Sequence, residues 1–116
     1  MASQLVSTES GEHYTWGREC DGWYLLKTEG LHVIQERMPP ETADVMHFHR
    51  QATQFFFVLS GHLTVENQDG AVTIAAGRAV LVEPNTRHRA RNKSTSDVEF
   101  LVVSYPPSHE DRFICE

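Results

Sequence analysis

The amino-acid sequence predicts an all-β fold, an antiparallel sandwich or barrel. Three observations carry that reading. Apolar residues fall in short runs rich in β-branched and aromatic types, and turn residues separate the runs at even spacing. Helical spacing of apolar positions is nowhere sustained over the roughly ten residues a helix needs.

Residues 1–30 read as an N-terminal arm, partly strand, that packs on the barrel or on a partner copy. The stretch from Ser7 to Asp21 is polar and broken by Gly11 and Gly17, with Tyr14 and Trp16 as anchors onto a neighbouring surface. Trp23 and Leu25 open the apolar pattern. The barrel is expected over residues 31–105, beginning with the run 31–38, which ends at Pro39-Pro40. Next come 44–49, then 54–59 closed by Ser60-Gly61, and 63–66 closed by the turn from Asn67 to Gly70. The runs 72–75 and 79–82 end at Ala76-Gly77 and Glu83-Pro84-Asn85. The run 88–92 precedes a polar stretch, and 98–105 is stopped by Pro106-Pro107, leaving 106–116 as a tail. Strands of this length at this spacing suit a barrel or sandwich.

Period-2 alternation sorts the runs into faces. His47 and His49 share a face with Val45, and Gln54, Phe56 and Val58 share another. Phe55, Phe57 and Leu59 fall on the opposite side of their strand, which is therefore apolar on both faces and needs cover on both. One cover is the interior. The other is the arm or a second copy, and a homodimer is expected of so small a core.

Composition narrows the function classes. The 116 residues carry 10 basic and 16 acidic side chains, a formal charge of −6 that disfavours nucleic acid and anionic membranes as partners. No leader pattern and no run of about 18 apolar residues occurs, so a cytoplasmic protein with reduced thiols is expected. Cys20 and Cys115 show no metal or redox spacing and read as small hydrophobes. Seven histidines are more than packing requires and point to metal or proton chemistry. Arg87, Arg89, Arg91 and Lys93 alternate onto one face, which reads as a solvated or dimer-pairing face in preference to an anion or nucleic-acid patch, with Glu66, Asp97 and Glu99 as partners on adjacent strands.

Two stretches carry chemistry. In the first, His47 and His49 project from one strand face at a spacing that lets both imidazoles share a cation, and Gln54 and Gly61 follow. In the second, Gly77, Glu83, Asn85, His88 and Asn92 place His88, Ala90 and Asn92 on one face. Together these stretches resemble the two motifs of the cupin superfamily. Gln54 stands where the first motif usually has Glu, and Glu83 and Asn85 replace the Pro and Gly of the second. Asn tolerates the left-handed backbone such a turn needs, so the change at Asn85 is mild.

The resemblance implies an antiparallel double-stranded β-helix, or jelly-roll barrel. It implies one divalent transition metal, iron, manganese, nickel, cobalt or zinc, held by His47, His49, His88 and Gln54. The alternative is a water-filled pocket lined by the same histidines. A neutral Gln54 leaves the full charge of the metal in place, which weakens binding and strengthens Lewis acidity. Met38, Phe56, Val58 and Asn92 are expected to line a mostly apolar substrate pocket. His13, His32, His62 and His109 read as surface or sheet residues.

Two function classes follow. The first is an enzyme acting on a small oxygen-chelating organic molecule, dioxygenase-like or isomerase-like. The second is a module that binds a small molecule or metal without turnover. Sugar-nucleotide epimerase chemistry is the weakest reading, because no His–Asp pair with a basic cleft is found.

Overall fold

A computed structural model describes residues 2–115. Twelve strands and no helix occur among them. They are β1 (Glu12–Trp16), β2 (Cys20–Lys27), β3 (His32–Met38), β4 (Thr42–Ala43), β5 (His47–Phe48) and β6 (Thr53–Ser60). The remainder are β7 (His62–Asn67), β8 (Gly70–Ala75), β9 (Ala79–Val82), β10 (His88–Asn92), β11 (Val98–Tyr105) and β12 (Phe113–Ile114). They form two sheets, in the orders β1-β2-β3-β11-β6-β9 and β12-β5-β10-β7-β8, with the short β4 also paired to β10. All pairings are antiparallel. Each sheet presents one face to the other, and Met38, Val58, Leu63, Val65, Val98 and Phe100 fill the space between them. This is the jelly roll, and alternation along each strand sets its inside.

Three turns show why certain residues stand where they do. Gly61 joins β6 to β7 with φ of 81°, and a Cβ there would lie 2.5 Å from the Asp97 carbonyl oxygen, so only glycine fits. Gly77 has φ of 82°. Asn85 adopts φ of 65°, the left-handed conformation expected of it.

Segments near both ends of the described residues are built into the sheets. The β1–β2 hairpin extends the first sheet at the edge of β3, and β12 adds to the edge of β5 in the second. The alternation in β6 holds: Gln54, Phe56 and Val58 are buried, whereas Phe55 and Leu59 are 38% and 41% exposed. Val45 departs from expectation. It is 51% exposed and does not share the inward face of His47 and His49. The physical reason is that the chain between β4 and β5 is not extended, since the Val45 N–H donates to the Asp44 side chain at 2.7 Å and breaks the alternation. The arginine stripe meets one of its three expected partners. Arg89 and Arg91 both engage Glu66, at 2.6 and 3.0 Å, but Asp97 pairs with Arg37 and Glu99 accepts from Gln35.

Candidate metal centre

Strand β5, the residue that follows it and strand β10 bring the three histidines together. His47 and His88 are directly opposed across the β5–β10 pair, and His49 lies one residue past β5. One ring nitrogen from each of His47, His49 and His88 lies within 4.8 Å of the others, and all three residues are buried. The turn after β9 locks to this strand, since the Asn85 N–H donates to the His49 carbonyl at 2.6 Å.

The hydrogen bonds fix which nitrogen faces inward. Nδ1 of His47, His49 and His88 lies 2.7, 2.6 and 2.8 Å from the carbonyl oxygens of Val45, Asp111 and Thr86. A carbonyl only accepts, so each Nδ1 carries the proton, and a ring so held presents in its neutral form a bare Nε2 lone pair to the centre. Burial pushes the pKa of His47 down to about 4 and lowers that of His88, which keeps these rings neutral near pH 7. The His49 Nε2 is buried with no hydrogen-bond partner. Three converging lone pairs, one of them orphaned, match what a divalent cation requires, with the backbone carbonyls as orienting partners.

Gln54 completes this arrangement from β6. Its amide nitrogen donates to Ser104 Oγ at 3.0 Å and to Ser108 Oγ at 3.4 Å, which aims its oxygen at His88 Nε2, 3.3 Å away. With both atoms unprotonated, two acceptors face each other, and a cation nearby relieves that repulsion.

Asp111 was not marked by sequence reasoning, yet it holds His49. Its carbonyl accepts from the ring, while its carboxylate accepts the N–H groups of Arg50, Gln51 and Ala52 at 2.9, 2.8 and 2.9 Å. Burial works to raise the pKa of this carboxyl, but the three N–H bonds outweigh it and leave the pKa below the usual range.

A cavity of about 220 Å³ opens over the centre, lined by His47, His49, Gln54, Phe56 and His88 and by residues of the arm and tail. Of the four pocket residues expected from sequence, Phe56 lines it. Met38 and Val58 instead lie fully buried in the core, and Asn92 is a structural tie whose amide donates to the carbonyls of Met38 and Ser96 at 2.9 and 2.8 Å. Tyr14 and Trp16 anchor the hairpin here, and His32 and His109, ranked low from sequence, stack at 5.4 Å along the same wall.

Residues 34–104 match the family model for a cupin domain. The chain belongs to the cupin family. This cupin is 25% identical over 85 residues to an oxalate-binding protein of Thermotoga maritima, spanning 69% of this chain and 70% of that one. Among solved structures it resembles a predicted oxalate decarboxylase from Thermotoga maritima, with TM-score 0.79, 20% identity, and coverage of 90% of this chain and all of the other. It also resembles the polyketide cyclase RemF from Streptomyces resistomycificus, with TM-score 0.82, 16% identity, and coverage of 98% and 86%. At these identities the structural likenesses speak for the fold, and the chemistry rests on the site.

Glu36, which sequence reasoning passed over, also lines the cavity of this cupin from β3. Its place inside was legible in the alternation His32, Ile34, Glu36, Met38. Burial pushes its pKa up to about 7, so the unfolded carboxyl ionises first as pH rises from the usual value of 4.5. Its contribution to stability is fully present below pH 4.5 and is lost as pH rises through about 7. Glu36→Gln is accordingly expected to stabilise the protein at pH 8 relative to pH 5 by about 2–3 kcal/mol. Urea unfolding midpoints of both proteins at the two pH values measure it, and an equal difference at both would contradict it.

Proposed function

We propose that this cupin holds one divalent transition metal on His47, His49, His88 and Gln54 and acts on a small organic molecule that chelates the ion through oxygen. The observation that carries this is the set of three Nε2 lone pairs fixed by Nδ1–H bonds to backbone carbonyls, with a cavity above them. A bound metal supplies Lewis acidity there. The likeness to an oxalate-binding protein supports a small oxygen-chelating ligand. Dioxygenase-like or isomerase-like chemistry is the enzymatic form of this reading, and a binding module without turnover is the second reading, favoured by the neutral Gln54 in the ligand set.

Elemental analysis of protein purified without added metal tests the first half, with about one metal per chain expected. Titration of the cobalt-loaded protein with oxalate, followed by its visible absorption, tests the second. A metal-free protein that takes up no added ion, or a cobalt spectrum that oxalate leaves unmoved, overturns the corresponding half.

The donor at position 54 sets the affinity. Gln54→Glu adds a negative charge beside the cation and is expected to tighten binding by roughly tenfold or more, a modest share of the attraction between opposite charges in close contact. Competition against a chelator of known affinity reads the change. Weaker binding in Gln54→Glu would show that the amide is not a ligand.

The outer face of β6 and β9, with Phe55 opposite Leu81 in register and both exposed, supports a homodimer. A monomer mass by light scattering at micromolar concentration would exclude it. A cytoplasmic setting is also proposed, in keeping with two free thiols at Cys20 and Cys115. No helix long and apolar enough to cross a membrane occurs among the described residues.

A further inference from the structure

The four proposed ligands include no carboxylate, so any proton taken from a chelated molecule needs another acceptor in the cavity. Among the described residues that line it, the carboxylates are Glu36 and Asp44. Asp44 is already committed. Its carboxylate accepts from Arg112 at 2.9 Å and from the Val45 N–H at 2.7 Å. Glu36 has no cationic partner, and its one side-chain hydrogen bond comes from the Tyr14 hydroxyl at 2.7 Å.

That hydrogen bond is built across three strands. Tyr14 on β1 is paired with Gly22 on β2, and Gly22 is paired with Glu36 on β3, so the three residues form one row. A Cβ at Gly22 would overlap the Tyr14 ring. The absence of a side chain there lets the ring lie across β2 and deliver its hydroxyl to Glu36. The phenol is held protonated, its pKa raised by burial and by the neighbouring carboxylate, so it donates and does not compete for protons.

We propose that Glu36 is a catalytic acid–base of the cavity, positioned by Tyr14 over Gly22, and that it moves a proton at the carbon next to the carbonyl of a chelating 2-oxo or 1,3-dicarbonyl compound. This deepens the chelation reading and rests on it. The C–H bond breaks, its proton goes to a Glu36 carboxylate oxygen, and its electron pair forms the C=C bond of an enolate as the carbonyl π pair moves to oxygen. Return of the proton to carbon completes an exchange or an isomerisation, and nothing is oxidised or reduced. Burial raises the pKa of Glu36 to about 7, which suits a group that takes and returns a proton near neutrality. The charged and titratable groups facing it are Tyr14 and the Cys20 thiol from the hairpin, and Asp44 and Arg112 across the cavity.

Pyruvate is a suitable probe, a small 2-oxo acid with acidic C–H bonds. Binding is read from the visible spectrum of the cobalt-loaded protein, and turnover from loss of the pyruvate methyl proton signal in D₂O with the zinc-loaded protein. Wild type is expected to catalyse exchange at a rate that rises with pH through about 7. Glu36→Gln should show the same pyruvate-induced change in the cobalt spectrum as wild type and lose exchange by about 100-fold or more. Tyr14→Phe should shift the pH midpoint upward, because the lost hydrogen bond favoured the carboxylate. It should also move upward a glutamate carboxyl ¹³C resonance that titrates near neutral pH and is missing from Glu36→Gln. Binding without exchange in wild type, or equal exchange in Glu36→Gln, overturns the role of Glu36. An unmoved cobalt spectrum in wild type overturns the chelation reading and this inference with it, whereas the ¹³C titration reports on Glu36 in either case.

Discussion

Replacing His47, His49 and His88 together by alanine is expected to reduce bound metal to background and to remove the stabilisation that added metal gives the native protein. One ring nitrogen from each histidine lies within 4.8 Å of the others, so the variant keeps only the amide of Gln54, which cannot hold a divalent ion alone. In wild type, a metal supplied at 100 times its dissociation constant should stabilise folding by about 2.7 kcal/mol, seen as a raised melting temperature. The triple variant should show no such rise. Its metal-free form should also be weakened, because the carbonyls of Val45, Thr86 and Asp111 lose their donors and three buried rings leave space behind. His62→Ala, at an exposed position outside the centre, is the control and should retain metal. Metal content unchanged in the triple variant would place the ion elsewhere.

Asp111→Ala is expected to act on stability and on the metal at once. The carboxylate satisfies three successive backbone N–H groups between β5 and β6, and the one on Ala52 belongs to a residue only 1% exposed. Losing these charge-assisted bonds should cost about 1–3 kcal/mol, most of it from that buried N–H. The same loop carries His49, so its loosening should weaken metal binding by about 10–100-fold, the usual effect of removing a group that orients a ligand. Asp111→Asn keeps one acceptor oxygen and should fall between wild type and alanine in both measurements. Denaturant unfolding of the metal-free protein and chelator competition separate the two effects. A stability loss with unchanged affinity would show that His49 is held without this loop.

The barrel and its histidines were legible because their signals are local. Alternation in β6, β10 and β11 places residues without knowledge of partners, and His47, His49 and His88 sit at spacings that a short strand projects to one side. Asn85 could be read because a left-handed turn restricts which residues fit. The tail was not legible. Strand β12 has two residues and no period, and Asp111 acquires its role only by meeting a loop about 60 positions earlier. Val45 shows the same limit, since one side-chain bond from Asp44 ended the strand that alternation had extended through it. The misplaced pocket residues share a cause: alternation tells inside from outside, but not how far along the barrel axis a residue sits. Met38 and Val58 are inside, as read, and below the cavity's reach.

The bond between Asp111 and the loop at Arg50 to Ala52 has a consequence for the order of events as the protein is made. A ribosome delivers His47 and His49 early, and the segment that seats His49 is delivered more than 60 residues later. During that interval His49 exists without its orienting partner, whereas His47 already has the Val45 carbonyl beside it, and His88 arrives between the two events. On the proposed reading, a nascent chain has no finished coordination site to offer, and metal loading would await the completed fold.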